Sequence, residues 1–436
     1  MPLSKGTHSI LLGKFLCSFG KLDGSQKVTI LAFIVLISQE MACCSISSMQ
    51  FSEDLKISAR ATLDMKFDKL IRVYFLLFIF LLCNGVSISQ ELHPKSVLKN
   101  EYGQIFDCVD INLQQSLEHP LLDNHTIQTK PTSLPIGTSV DLESFTHPDA
   151  RISSVTCPYG TIPVLRSYGK YQSAQSPWKI EENMSGGNHF RPHTAMAGIA
   201  GTYYGYNARI SVYQPQVGNE SEPRFSGAIA FLQNGDPPNK SSLYAGWVNP
   251  HFYGDSHPHL EVQWSDNGRL CTNLLCPGFV QVSNRITPGA IIEPVSVVNG
   301  TQYAVTLQVY QDPRTRNWWL AYGKDGHQVG YWPGTIFSYM TDAAGMAGWG
   351  GLVQGKAGEP LPPMGSGELP EKGQGQAAYV KDARILVNRD NERVFLAPGV
   401  DLYPYVTDPS CYKVGPFSYA NGGVEFLFGG PECHDY

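Results

Sequence analysis

The sequence carries little charge: 16% of its 436 residues are Asp, Glu, Lys or Arg, and the formal net charge is −6. With no basic field and no lysine–arginine cluster interleaved with aromatics, nucleic acid is not an expected partner. Long apolar runs are also missing. Neither apolar stretch near the N-terminus reaches the roughly 20 residues of a spanning helix, so no stable membrane association is expected. The GxSxG, HExxH, P-loop and dinucleotide signatures are absent, as are the CxxC spacings of a cysteine zinc site, and no metal or cofactor is expected. Apolar residues rarely recur at helical spacing.

What is abundant points to strands. Glycine (43), proline (30) and tyrosine (22) are plentiful in a chain that is 42% apolar, a composition suited to many short strands and tight turns around a large core. Segments with period-2 or continuous β patterning follow closely: 208–215, 228–233, 260–264, 278–284, 302–312, 317–322, 327–333, 376–388 and 423–430. Gly, Pro, Asn or Asp separates them. The only helical candidate is IFSYMTDAAGMAG (336–348), weakened by its glycines. So many strands without helices imply an all-β fold, a β-sandwich of two antiparallel sheets, since one sheet could not bury both faces.

The N-terminal part reads as export machinery. From Met65, basic residues Lys66, Lys69 and Arg72 precede the apolar core Val73 to Cys83 and small residues around Ser87 and Ser89. That order is a secretory signal, 65–89. Residues 1–64 hold only a weaker apolar run, Val28 to Ser38, and are read as a mis-annotated or disordered leader, with a genuine long leader or a signal anchor as the alternatives.

After the signal, six cysteines remain: Cys108, Cys157, Cys271, Cys276, Cys411 and Cys433. An even number in an exported chain suggests disulfides. Cys271 with Cys276, and Cys411 with Cys433, are natural local bridges, whereas Cys108 with Cys157 crosses a stretch of little periodic pattern. Sequons begin at Asn124, Asn183, Asn219, Asn239 and Asn299, each near turn-forming residues, as expected of glycan acceptors. A block with few candidate strands, 90–170, is followed by a Ser/Gly/Asn-rich linker, 171–188, and then by the main domain, 189–436.

The order of motifs resembles the plant neprosin family. DCVDI, HPLL and CPYGTIPVLR look like its activation peptide; YYGYNARISVYQP, AGWVNP, FYGD, CTNLLCPGFVQVSN, QDPRTRNWWL, VGYWP, MGSGELPEKG and FLFGGPEC look like its catalytic domain. The resemblance implies a secreted glutamic endopeptidase that cleaves after proline, is made as a zymogen and works at acid pH on a two-sheet sandwich. Such chemistry needs two neighbouring carboxyl groups, one ionised to activate water and one protonated to donate.

Matched residue by residue, the family's glutamate before AGW is Tyr244 here, and the one after WGG is Leu352. No glutamate lies between Glu222 and Glu261 or between Glu293 and Glu359, so a shifted register does not restore the pair. A phenol is a poor base in acid and leucine exchanges no proton. Glu261 and Glu368 are the substitute acids to weigh. Asp255 and Glu371 belong to motifs that the active family shares and read as turn or structural residues. His251, His257 and His259 with Asp255 could ligate a metal, but on one loop with no enforced geometry a solvated turn is favoured.

The expectation is a non-catalytic scaffold, secreted to cell wall, extracellular space or vacuole, that binds proline-rich peptides, glycoproteins or wall polymers. Trp247, Trp319, Trp332 and Trp349, with Trp318, would line its groove with flat surfaces for prolyl rings. The alternative is a weak acid-pH endopeptidase with relocated carboxylates.

Overall fold

A computed structural model describes residues 94–137, 148–153, 155–166, 190–218, 224–250, 253–356, 358–399, 401–420 and 422–434. The chain divides into Met1–Gln90 and Glu91–Tyr436, and all described residues fall in the second unit. The leader, signal and linker expected over 1–64, 65–89 and 171–188, together with Asn183, Asn219 and His251, lie outside the described residues.

Alternating side chains give two antiparallel sheets that share one core. The nine-stranded sheet runs Tyr403–Val406, Phe190–Tyr203, Ala344–Lys356, Phe225–Asp236, Asn239–Pro250, His259–Asp266, Ile291–Glu293 and Arg151–Ser153, with Arg269–Thr272 branching from His259–Asp266. The second sheet is ten-stranded, with Ala304–Gln311, Gly205–Ser211 and Ala378–Arg389 at its centre. Along Asn239–Pro250, Leu243, Ala245 and Trp247 enter the core, so Ser242, Tyr244, Gly246 and Val248 must take the outer face. The same rule on His259–Asp266 sends Leu260, Val262 and Trp264 inward and His259, Glu261 and Gln263 outward.

The helix expected over 336–348 is not there. Gly334–Ile336 forms one 3-10 turn, and Ala344–Lys356 is a long strand between Phe190–Tyr203 and Phe225–Asp236. Its glycines answer to packing: a Cβ on Gly348 would sit 2.4 Å from the Phe231 ring. Glycine therefore marks a close approach within a strand here, not a weak helix.

The N-terminal segment is built into this sandwich. Ser96–Lys99, Ile105–Asp110 and Thr161–Leu165 make a small sheet, and Arg151–Ser153 extends the nine-stranded sheet by pairing with Ile291–Glu293. Between them the chain makes 3-10 turns, one capped by Asp110 accepting from the Asn112 amide and one, opened by Pro120, capped by His119 accepting from the Leu121 amide. Leu122 and Ala150 are members of the main core. All three disulfides form, Cys108–Cys157, Cys271–Cys276 and Cys411–Cys433. The first closes the N-terminal segment on itself and does not cross to the main domain. Asn124, Asn239 and Asn299 are exposed.

Candidate functional site

The outer face of the nine-stranded sheet carries both Tyr244 and Leu352, but not together. Tyr244 lies opposite Phe231, which lies opposite Gly348; Leu352 lies opposite Gly227, which lies opposite Val248. The two positions are thus two strands and four residues apart, about 16 Å between Cα atoms on a flat sheet. Their surroundings differ as well.

Tyr244 meets a carboxyl group. Its hydroxyl donates to Glu261 Oε1 at 2.5 Å, from a diagonal position in which Gly246 faces Glu261 directly. Glu261 is 1% exposed, and its second oxygen, Oε2, is buried without a hydrogen-bond partner. Burial pushes the Glu261 carboxyl up to about 7, and the bond from Tyr244 only partly offsets this. Burial and then the neighbouring carboxylate also push the Tyr244 phenol well above its ordinary value, so it is a donor and not a base. The arrangement holds one buried carboxyl and one phenol in hydrogen-bond contact.

Leu352 is in apolar company. It packs, partly buried, on a cluster of Phe106, Leu165, Phe225, Val248, Tyr253 and Ala290. Phe106 and Leu165 belong to the small sheet of the N-terminal segment, which therefore covers this end of the face. The cover is pinned elsewhere by polar contacts. Buried Asp312 accepts from the Thr132 amide (2.6 Å), Thr132 Oγ1 (2.6 Å) and Gln128 Nε2 (2.8 Å). Gln114 and Gln281 exchange side-chain to main-chain bonds in a buried pair, and buried Arg209 donates to Asp149.

The remaining acids have other duties. Burial raises the Asp255 pKa, but bonds from His259 (2.9 Å) and the His257 amide outweigh it, leaving the carboxyl below its usual range. Glu371 pairs with Lys413 at 2.7 Å on the surface, and that bond holds its carboxyl low. Glu368 sits in the loop before the 3-10 turn Pro370–Lys372, its amide donating to Ser366 Oγ, and no contact links it to Tyr244 or Glu261 among the described residues. Of Glu261 and Glu368, the structure places Glu261 beside Tyr244. His259 bonds Asp255 and pairs with the Gly289 carbonyl while stacking on Tyr253, and no group of three potential metal ligands converges among the described residues.

The tryptophans do not line a groove. Trp247, Trp318, Trp319, Trp332 and Trp349 are 0% exposed and belong to the core between the sheets. Parity decides it for two of them: Trp247 is three residues from Tyr244, and Trp349 three from Leu352, so both point to the opposite face. The exposed rings on the site's own face are Tyr403 and Tyr405, opposite Gly198 and Met196 on the edge strand. Sequence reading passed over them because Pro404 and a four-residue length obscure the strand; the Y-P-Y alternation was the available signal.

The arrangement is a sandwich of two antiparallel sheets with an N-terminal segment docked on one face. A family model described as Neprosin matches residues 222–431, and one described as Neprosin activation peptide matches residues 97–185. The chain belongs to the neprosin family and carries its activation peptide. Among solved structures it is similar to scytalido-glutamic peptidase with a peptide-based transition-state analogue (12% identity, TM-score 0.29, covering 56% of this chain and 100% of that one). A second structure of that peptidase, with a transition-state analogue inhibitor, matches at 12% identity and TM-score 0.30 over 55% of this chain and 100% of its own. SCP-B, a member of the eqolisin peptidase family in complex with the tripeptide Ala-Ile-His, matches at 12% identity and TM-score 0.29 over the same shares, 55% and 100%.

Proposed function

We propose that this chain is a secreted neprosin-family protein that binds peptide on the outer face of the nine-stranded sheet without hydrolysing it. The observation that carries the reading is the pair of family positions: Tyr244 is committed to Glu261 and Leu352 is packed under Phe106 and Leu165. A water held at this face would meet no second carboxyl to polarise the scissile carbonyl or protonate the leaving amine. The ligand class is an extended proline-rich peptide or glycoprotein, favoured by exposed tyrosines whose rings suit prolyl contacts.

A second reading, hydrolysis by a relocated acid, rests on Glu261 alone. Such an enzyme would differ from the resembled family in pH: with its carboxyl near 7, Glu261 is protonated in acid and becomes a base only around neutrality. The two readings part on self-processing. Intact mass of the full chain, followed after incubation from pH 3 to 8, is expected to stay unchanged. Release of a fragment starting near His189, in a reaction that Glu261→Gln abolishes, would instead establish the second reading.

A further inference from the structure

The outer face of the nine-stranded sheet has an open half. In the row of residues that crosses the strands through Tyr405, the side chains of Met196, Ile229 and Glu261 are buried, which marks where the cover over the Leu352 half begins. On the far side of that row the surface opens. The next row reads Tyr403, Gly198, Gly348, Phe231 and Tyr244, and the one after it Ala200, Met346, Gln233, Ser242 and Ser265. Ala200 is exposed, Tyr403 is 40% exposed, and Phe231, Tyr244, Met346, Gln233, Ser242 and Ser265 are half-buried. Two glycines flatten this surface. Gly198 and Gly348 face each other on adjacent strands; a Cβ on Gly348 would sit 2.4 Å from the Phe231 ring, and one on Gly198 would sit 2.9 Å from the Met346 methyl and 3.4 Å from the Tyr403 ring. Phe231 thus reaches in from one side and Tyr403 from the other, and both rings lie down over glycine with the Met346 methyl beside them.

The rim of this platform is polar and neutral. Gln233 donates to Met346 Sδ at 3.2 Å, the Ser242 and Ser265 hydroxyls share one bond at 2.7 Å, and the Tyr403 hydroxyl donates weakly to Met346 Sδ at 3.8 Å. Each of these groups has hydrogen-bonding capacity left. Neither row holds an Asp, Glu, Lys or Arg, so a charged ligand would find no counter-charge and an uncharged one is favoured. An added peptide strand is not served either. The strands under the platform are paired on both sides, and the edge strand Tyr403–Val406 turns outward the nitrogen of Pro404, which has no hydrogen to donate. A pyranose chain uses what is present: flat apolar surface for the C–H face of each sugar, and neutral donors and acceptors for its hydroxyls. From Tyr403 to Tyr244 the platform crosses four strand spacings, about 19 Å, which gives room for a run of several sugars.

We propose that this platform binds an uncharged, straight, β-linked pyranose chain, with Tyr403 and Phe231 as its stacking rings and Gln233, Ser242 and Ser265 as partners of the sugar hydroxyls. Straightness follows from the flat surface, on which a curved chain would touch one ring and leave the other. The proposal shares with the peptide-binding reading only the choice of face and adds a second class of ligand on its open half.

The test is isothermal titration of the full-length protein with cellohexaose, with maltohexaose as a curved α-linked control, with hexagalacturonate as an acidic control, and with an unglycosylated proline-rich peptide. Cellohexaose is expected to bind at least about tenfold more tightly than either sugar control. Tyr403→Leu removes the ring but keeps apolar cover over Gly198, and is expected to weaken cellohexaose about tenfold with an unchanged melting midpoint. Tyr159→Ala, at a fully exposed tyrosine of the N-terminal segment, is expected to leave the affinity as it was. Cellohexaose binding that ignores Tyr403→Leu, or equal binding of either sugar control, would overturn the proposal. Binding of the peptide alone would overturn it and leave the peptide-binding reading standing, whereas binding of cellohexaose alone would uphold it and remove that reading. Absence of binding by every probe would overturn both.

Discussion

The two ends of one sheet face have opposite characters. At the Leu352 end, Phe106 and Leu165 of the N-terminal segment complete a cluster in which apolar groups meet apolar groups. At the Tyr244 end, a phenol meets a buried carboxyl that keeps one oxygen unpartnered. The first end contributes stability, while the second costs stability by leaving a buried acceptor without a donor. Of the two positions, Tyr244 is therefore the one beside a buried polar group, and Leu352 the one sealed by the N-terminal segment.

The largest effect should come from breaking the apolar end. Phe106 is 0% exposed, and Phe106→Ala should remove about 3–5 kcal/mol, read as a lowered denaturation midpoint. If the loss is instead under about 1 kcal/mol, the N-terminal segment is not docked as described.

The acidic end should show itself through pH. The Glu261 carboxyl is raised from 4.5 to about 7 on folding, so the folded state holds this proton more tightly than the unfolded chain. Its contribution is full below pH 4.5, declines as pH rises through 7, and the loss amounts to about 3 kcal/mol. Glu261→Gln should remove this loss, so that denaturant stability of variant relative to wild type rises from pH 4.5 to pH 8. A pH-independent difference would mean that Glu261 is not buried in this way.

A smaller effect tests the polar pins. Asp312→Asn weakens acceptance from Thr132 and Gln128, and hydrogen exchange of residues 125–132 should quicken at pH 7 by an amount equivalent to about 1.5–3 kcal/mol. Burial raises the Asp312 pKa, but its five hydrogen bonds, led by that from the Thr132 amide, hold it below the usual range, so this contribution is lost only as pH falls through that lowered value. His119 and His125 act earlier: burial lowers both, so docking weakens as pH drops below about 6.5. Tyr244→Phe should cost least, about 1 kcal/mol by thermal melting, and should push the Glu261 transition to higher pH.

Much of this was legible in the residues. Period-2 patterning and turn chemistry gave the sandwich, and motif order pointed to Tyr244 and Leu352. What escaped had physical reasons. The Ala344–Lys356 strand is written in glycines because neighbouring rings lie over it, which hides β patterning. Trp247 and Trp349 looked like part of a groove because AGW and WGG flank Tyr244 and Leu352, yet one residue of parity puts Trp247 in the core and Tyr244 outside it. The Tyr244 and Glu261 contact joins residues on adjacent strands, and only the register of Asn239–Pro250 against His259–Asp266 reveals it.

The most direct measurement is mass-spectrometric detection of cleavage of proline-containing peptides by the purified protein, at unit intervals from pH 2 to 8, beside Glu261→Gln. The account predicts no product above the protein-free control at any pH and no difference between wild type and variant. Cleavage after proline by wild type that disappears in Glu261→Gln would contradict it.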